Sequence, residues 1–154
     1  MADRTWDVYL SGEIHSDWRR RIEQGVRDAG LPVAFSAPVT DHAASDDAGT
    51  GTLGAEGESF WRDHMGAGVN AIRTQTLIRD ADLVVVRFGD KYRQWNAAFD
   101  AGFAAALGKP IITLHEDDLD HALKDVDRAA LATARRPEQV VDVLRYVIEG
   151  ELPG

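Results

Sequence analysis

The stretch Asp82 to His115, DLVVVRFGDKYRQWNAAFDAGFAAALGKPIITLH, leaves this chain few folds to choose from. Leu83 to Phe88 is a short apolar run rich in β-branched residues, as in a strand buried on both faces. A polar loop follows from Gly89 to Gln94. Trp95, Ala98, Phe99, Gly102, Phe103, Ala106 and Leu107 then recur at helical spacing and are predicted to face the core. Gly108-Lys109-Pro110 stops that helix before a second strand, Ile111 to Leu114. The unit is βαβ, so its strands run parallel. The loop after the first strand then lies at the carboxyl edge of the sheet, where open α/β sheets bind ligands. Asn96 and Asp100 share one helix face there. The helix dipole favours a carboxylate near that terminus in its ionised form, which suits a nucleophile or an anionic binding group.

The rest of the chain repeats the alternation. Trp6 to Ser11 reads as a first strand ending at Gly12-Glu13. Ser16 is the expected cap of a helix with Trp18, Ile22, Val26 and Ala29 inward, closed by Gly30. Leu31 to Phe35 is a second strand. Residues 36–68 are polar and small and read as a long loop of the functional or linker kind. Val69 to Arg79 is predicted helical with Ile72, Thr76 and, as a further candidate, Leu77 inward. A short acidic helix over Glu116 to Lys124, a weak strand over Ala129 to Thr133 and a final helix from Pro137 to Gly150 complete the pattern. Val140, Val141, Leu144 and Ile148 form its core stripe. Five strands alternating with helices imply one α/β domain over 1–154, a doubly wound parallel sheet between two helical layers. With strand order 2-1-3-4-5, Tyr9, Glu13, Asn96 and Asp100 converge between the first and third strands.

Charge and cysteine content narrow the function. There are 26 Asp plus Glu against 17 Lys plus Arg, a formal charge of -9, and no basic run, so neither nucleic acid nor an anionic membrane is an expected partner. With no cysteine, thiolate chemistry and thiolate metal sites are excluded. The opening residues lack the basic and apolar regions of a signal peptide, and no apolar run reaches membrane length, so a cytoplasmic protein is expected.

Carboxylates carry the strongest chemistry. A nucleophile paired with a proton carrier is a common device for cleaving glycosidic bonds. Asp100 fits the nucleophile, in a small-residue helix beside Phe99 and Phe103, although a solvent-facing polar residue fits the pattern equally. Glu13, at the end of a buried strand, fits the acid/base; a cap on the following helix is the plainer reading. Tyr92 and Trp95 can stack on a planar base, while the competing reading makes Trp95 the first core residue of the helix. Asp41, His42, Ser45, Asp46 and Asp47 form either a lid over a polar ligand or a solvated turn. Gly49 to Gly54 matches G-x-G-x-x-G but follows no strand, so a flexible loop is expected rather than a nucleotide fingerprint. HEDDLDH, His115 to His121, has no diagnostic ligand spacing, and no G-x-S-x-G elbow is present, so neither a metal nor a serine triad is expected.

Val8 to Arg19 (VYLSGEIHSDWR), the Asp41-His42 and Ser45-Asp46 pairs, Phe88 to Ala101 (FGDKYRQWNAAFDA) and Gly108 to Pro110 together resemble the YtoQ family of bacterial proteins over nearly the whole chain. That family looks like an outlying branch of the nucleoside 2-deoxyribosyltransferase superfamily. The resemblance implies a flavodoxin-like fold and transfer or hydrolysis at an N-glycosidic bond through a glycosyl-enzyme intermediate. Tyr9 and Gly12 match the first motif, Ala81-Asp82 the second, and Asp100 in FDAGFAAALGKP stands where a glutamate nucleophile is usual. Aspartate is one methylene shorter, and Thr74 stands where the superfamily has a further acid. The implied reading is a nucleoside or nucleotide substrate, Asp100 as nucleophile, Glu13 as acid/base and Tyr9 and Asn96 positioning the sugar. Gly12, Trp95, His42 and Asp46 would border the ligand, with Asp82 in support. No cofactor is implied, and a homodimer or larger assembly is. The alternative is a non-catalytic nucleotide or small-ligand binding module on the same crevice.

Overall fold

A strand that alternates apolar residues on both of its faces must be covered twice, and β1 (Trp6–Gly12) is built that way. Val8 and Leu10 pack into one core with Trp18, Ile22, Val26, Val140 and Leu144; Tyr9 packs into another with Ile78, Ala97, Ala101 and Ala104. A computed structural model describes residues 4–41, 44–45, 47–54 and 59–154, without the side chains of 50 and 59–62. The sheet is parallel, in the order β2-β1-β3-β4-β5, with β2 at Val33–Ser36, β3 at Leu83–Arg87, β4 at Ile111–Leu114 and β5 at Ala132–Ala134. This is the expected flavodoxin-like architecture, with the order reversing between β1 and β3.

Helices α1 (Trp18–Ala29) and α6 (Pro137–Glu149) cover one face, α1 through the predicted stripe Trp18, Ile22 and Val26. On the other face lie α3 (Ser59–Asp80) and α4 (Trp95–Ala106). Here the predicted inward residues are only partly right: Leu77, Ala98 and Phe103 pack half-buried against the core. Ala97, Ala101 and Ala104 face the sheet, while Trp95 is 74 % exposed and Phe99 65 %. On α3 the buried residue is Ile78, and Ile72 is 71 % exposed. On α4 the cause is plain: periodicity fixes the period of a buried stripe, and the choice of phase fell on the largest side chains. A helix lying close to a sheet is held there by small ones.

The long loop is also shorter than expected. Residues 48–53 form α2 (Ala48–Leu53), and α3 begins at Ser59, ten residues before the predicted start. The helix α2 includes most of the G-x-G-x-x-G segment. Gly49 is buried where a Cβ would stand 2.6 Å from the Gly66 backbone nitrogen, so this glycine permits close contact between α2 and α3. Near the end of the chain, α5 (Lys124–Ala129) occupies part of the predicted strand, and β5 starts three residues later. Among the described residues, no helix is long and apolar enough to cross a membrane.

Candidate active site

Strand alternation puts Ser11 on the same face as Tyr9, toward α4. Ser11 is fully buried, and its hydroxyl donates to Asp100 Oδ2 at 2.7 Å. The alanine face of α4 is what lets the helix bring Asp100 this close to β1. No described residue donates to the other oxygen, Oδ1. The carboxylate borders a cavity of about 370 Å³, lined also by Gly12, Asn70, Thr74, Asn96 and Phe99. Burial raises the Asp100 pKa above the ordinary carboxylate value, and the Ser11 hydrogen bond opposes that rise.

Tyr9 lies behind this pair, fully buried, and lines no part of the cavity. Its hydroxyl meets no partner at hydrogen-bond geometry, although the Thr74 hydroxyl is near enough to act on it. Burial pushes its pKa up to about 12; the Thr74 hydroxyl lowers it, and the Asp100 charge adds to the rise. At working pH the phenol is a neutral donor held below the nucleophile candidate.

After Ser11 the chain turns through Gly12 at φ 125°, where a Cβ would stand 2.1 Å from the Arg87 carbonyl oxygen. Glu13 is buried and turned back on its own loop. Its Oε2 accepts the N–H of His15 at 2.6 Å and of Ser16 at 3.1 Å, and Oε1 accepts the Ser16 hydroxyl. Ser16 is therefore not the expected cap; Asp17 precedes α1 and makes no side-chain cap bond. Arg19 holds the same turn by donating to the carbonyls of Leu10, Gly12 and Glu13 at 3.1, 3.1 and 2.8 Å. Burial lowers the pKa of that guanidinium to about 10, still protonated at neutral pH.

The cleft continues past Gly12 into a second lobe of about 520 Å³, reached over the shared Pro38, Val39, Ser45 and Asn96 and walled by His15, Tyr92 and Arg93. Gln94 shapes this wall: its Oε1 accepts the Gly89 N–H at 3.1 Å, and its amide donates to the carbonyls of Lys91 and Tyr92. Tyr92 takes a left-handed φ of 63°, and its ring lies 5.1 Å from that of His15. Asn70 donates to the carbonyl and hydroxyl oxygens of Ser45 at 3.0 and 3.2 Å, which ties Ser45 to α3 at the rim.

Asp100, Gly12, Asn96 and, in the second lobe, Glu13 are thus brought together as expected. Three predicted residues are placed elsewhere. Asp82 sits at the amino edge of the sheet, where it accepts from Arg4 at 2.6 Å and from the Asp7 N–H at 2.8 Å; it borders no part of this cleft. Trp95 is neither core nor cavity wall, because it turns outward. Tyr9 is beneath the site rather than in it. His42 and Asp46 lie outside the described residues. Ser11 was missed: a serine at a strand end reads as turn chemistry, yet its register two residues after Tyr9 on a doubly covered strand was the available signal. His115, Asp120 and Asp127 bring ligand atoms within 4.8 Å of one another, but Asp127 is hydrogen-bonded to the His115 ring and Asp120 is paired with Arg135.

An open parallel sheet with a tethered, partly buried carboxylate at its switch point defines a flavodoxin-like α/β protein with a ligand crevice at the carboxyl edge. The family model described as Nucleoside 2-deoxyribosyltransferase YtoQ matches residues 9–148, and the chain belongs to that family. It is 38% identical over 144 residues to the uncharacterized protein YtoQ of Bacillus subtilis (strain 168), covering 94% of this chain and 97% of the relative. Two solved structures share the fold. A conserved protein from Enterococcus faecalis V583 aligns with a TM-score of 0.66 at 13% identity, over 94% of this chain and 99% of that one. A 2-deoxyribosyltransferase from Bacillus psychrosaccharolyticus aligns with a TM-score of 0.53 at 18% identity, over 88% and 90%.

Proposed function

We propose that the protein cleaves or transfers an N-glycosidic bond of a nucleoside or nucleotide, with Asp100 as nucleophile. The observation that carries this reading is the Asp100 carboxylate itself: Oδ2 is fixed by Ser11, and Oδ1, beside a cavity of about 370 Å³, accepts no hydrogen bond from the described residues. Oδ1 attacks the anomeric carbon as the bond to the base breaks and its electron pair leaves with the base. The resulting glycosyl ester is opened by water or by a second base. The Ser11 bond compensates for the shorter aspartate by holding the carboxylate in one orientation. Family membership supports the same chemistry.

Glu13 serves in this reading as the organiser of the β1–α1 turn, since both its oxygens already accept hydrogen bonds from that turn. Asn96 and Asn70 line the cavity beside Asp100 and hold the sugar and the departing base. Tyr9 supports the nucleophile from below. The outward face of α4, where Trp95 and Phe99 stand one turn apart, is covered in a homodimer, which closes the cleft beside Phe99. Light scattering on W95E/F99E should then report a monomer where the wild type reports a dimer.

The deciding assay incubates wild type and Asp100→Ala with nucleosides and nucleotides and follows free base by chromatography. Base release by the wild type alone supports the reading. Thermal stabilisation by one compound without release in either protein replaces it with the binding-module reading.

A further inference from the structure

Arg87 performs no task in the site described so far. It ends β3, the central strand, opposite Gly12 in the register. Its side chain is 17% exposed, and Nε is buried without a hydrogen-bond partner; the nearest recorded acid, Glu13 Oε1, is 3.9 Å away, beyond hydrogen-bond reach. A buried donor left without an acceptor calls for an explanation, commonly a missing ligand or ion. Beside it is a cavity of about 170 Å³, walled by Glu13, His15, Ser16, Gly89 and Lys91, with Asp90 at its edge. Glu13 and His15 also line the 520 Å³ lobe, so the three cavities run in series from Asp100 to Arg87.

Positive charge at this cavity comes from Arg87 and Lys91, while on its other side Arg87 borders a smaller cavity of about 70 Å³ lined by Asp90, Glu116 and Asp118. Glu13 accepts hydrogen bonds from the β1–α1 turn and also forms a loose ion pair with Arg87 at 3.9 Å, so Glu13 and Asp90 are the acids on the wall. Lys91 and Arg93 have no ion-pair partner among the described residues, and His15 stands beside them. An Arg fork with flanking cations in a walled cavity matches a phosphate, which accepts bidentate bonds from guanidinium. We infer that this cavity is the anion subsite of the cleft and takes the phosphate of a nucleoside 5′-monophosphate whose sugar reaches Asp100. Ser11, which holds Asp100, adjoins Gly12, the register partner of Arg87. Strand alternation puts Arg87 and Ser11 on opposite faces of the sheet, so subsite and nucleophile meet only around its carboxyl edge. The ligand crosses the sheet edge over Gly12, where no side chain obstructs it.

This inference rests on the glycosidic reading and can fail separately from it. Calorimetric titration of Asp100→Ala, which holds substrate without turnover, compares nucleosides with their 5′-monophosphates. At least one monophosphate should bind about tenfold more tightly or better than its nucleoside. Arg87→Gln in the same background should erase that difference. Lys91→Gln, on an exposed loop, should reduce it severalfold with an unchanged melting curve, which guards against an Arg87 variant that merely misfolds. Equal affinity for nucleoside and monophosphate overturns the inference, as does a preference that survives Arg87→Gln. So does inorganic phosphate that tightens nucleoside binding while monophosphates gain nothing, since the anion would then be a free acceptor. Base release without any phosphate preference removes this inference alone. An Arg87-dependent preference without base release keeps the subsite and removes the glycosidase.

Discussion

The two faces of the sheet are built from different materials. Against α1 and α6, β1 and β3 present Val8, Leu10, Leu83 and Val85 to Trp18, Ile22, Val26, Val140 and Leu144, a dense core of large side chains. Against α3 and α4 the partners are Ala97, Ala101 and Ala104, and the same strand β1 ends in Ser11 instead of an aliphatic residue. The first face carries much of the stability. The second buries Tyr9, Ile78, Phe88 and Ile111 as well, but it meets α4 through alanines, brings that helix close, and leaves room at the carboxyl edge for a cavity with a carboxylate beside it. The candidate chemistry sits where small residues make the contact between helix and sheet.

The largest effect should come from breaking the dense face. Leu10→Ala, at a site with no exposure, should cost about 2–5 kcal/mol in urea unfolding. Substitutions on the other face should trade differently. Asp100→Asn should reduce base release to background yet stabilise the fold at neutral pH. The sign follows from the raised native pKa: burying the ionised carboxylate is unfavourable, so folding is penalised once pH exceeds the unfolded value. The gain should vanish in acid, where both states are protonated. A melting-temperature series against pH checks this, and a loss at neutral pH would refute it.

Ser11→Ala sharpens the same point. Losing that hydrogen bond should cost about 1 kcal/mol of stability and move the acid limb of the rate profile to higher pH, since the bond is what lowers the Asp100 pKa. In the wild type that limb should already lie above the range of a free aspartate. The smallest effect is expected at the amino edge. Asp82, whose pKa is lowered first by the Asp7 N–H and then by Arg4, adds stability above the ordinary aspartate pKa that is lost as pH falls through the native one. Asp82→Asn should cost under about 1 kcal/mol at neutral pH and leave base release unchanged.

Much of the fold was legible because it rests on local rules. Apolar β-branched runs marked β1, β3 and β4, and the alternation with helices implied the parallel sheet and its ligand edge. The stripe of α1 was read correctly because Trp18, Ile22 and Val26 are its only large apolar residues, set among charged ones. On α4 that criterion failed: Trp95 and Phe99 stand outside, and alanines make the contact. Asp100 was legible from its place in the helix. Ser11 and Arg87 were not, because each gains meaning only from a residue on another strand or helix.

The amino-acid sequence by itself determined the order of elements, the parallel sheet and the position of a carboxylate near its carboxyl edge, since periodicity and turn chemistry act within a few residues. Tertiary structure alone decided which face of α4 meets the sheet and which serine holds Asp100. Those outcomes depend on close packing and hydrogen-bond geometry between segments up to 89 residues apart, which no local pattern encodes.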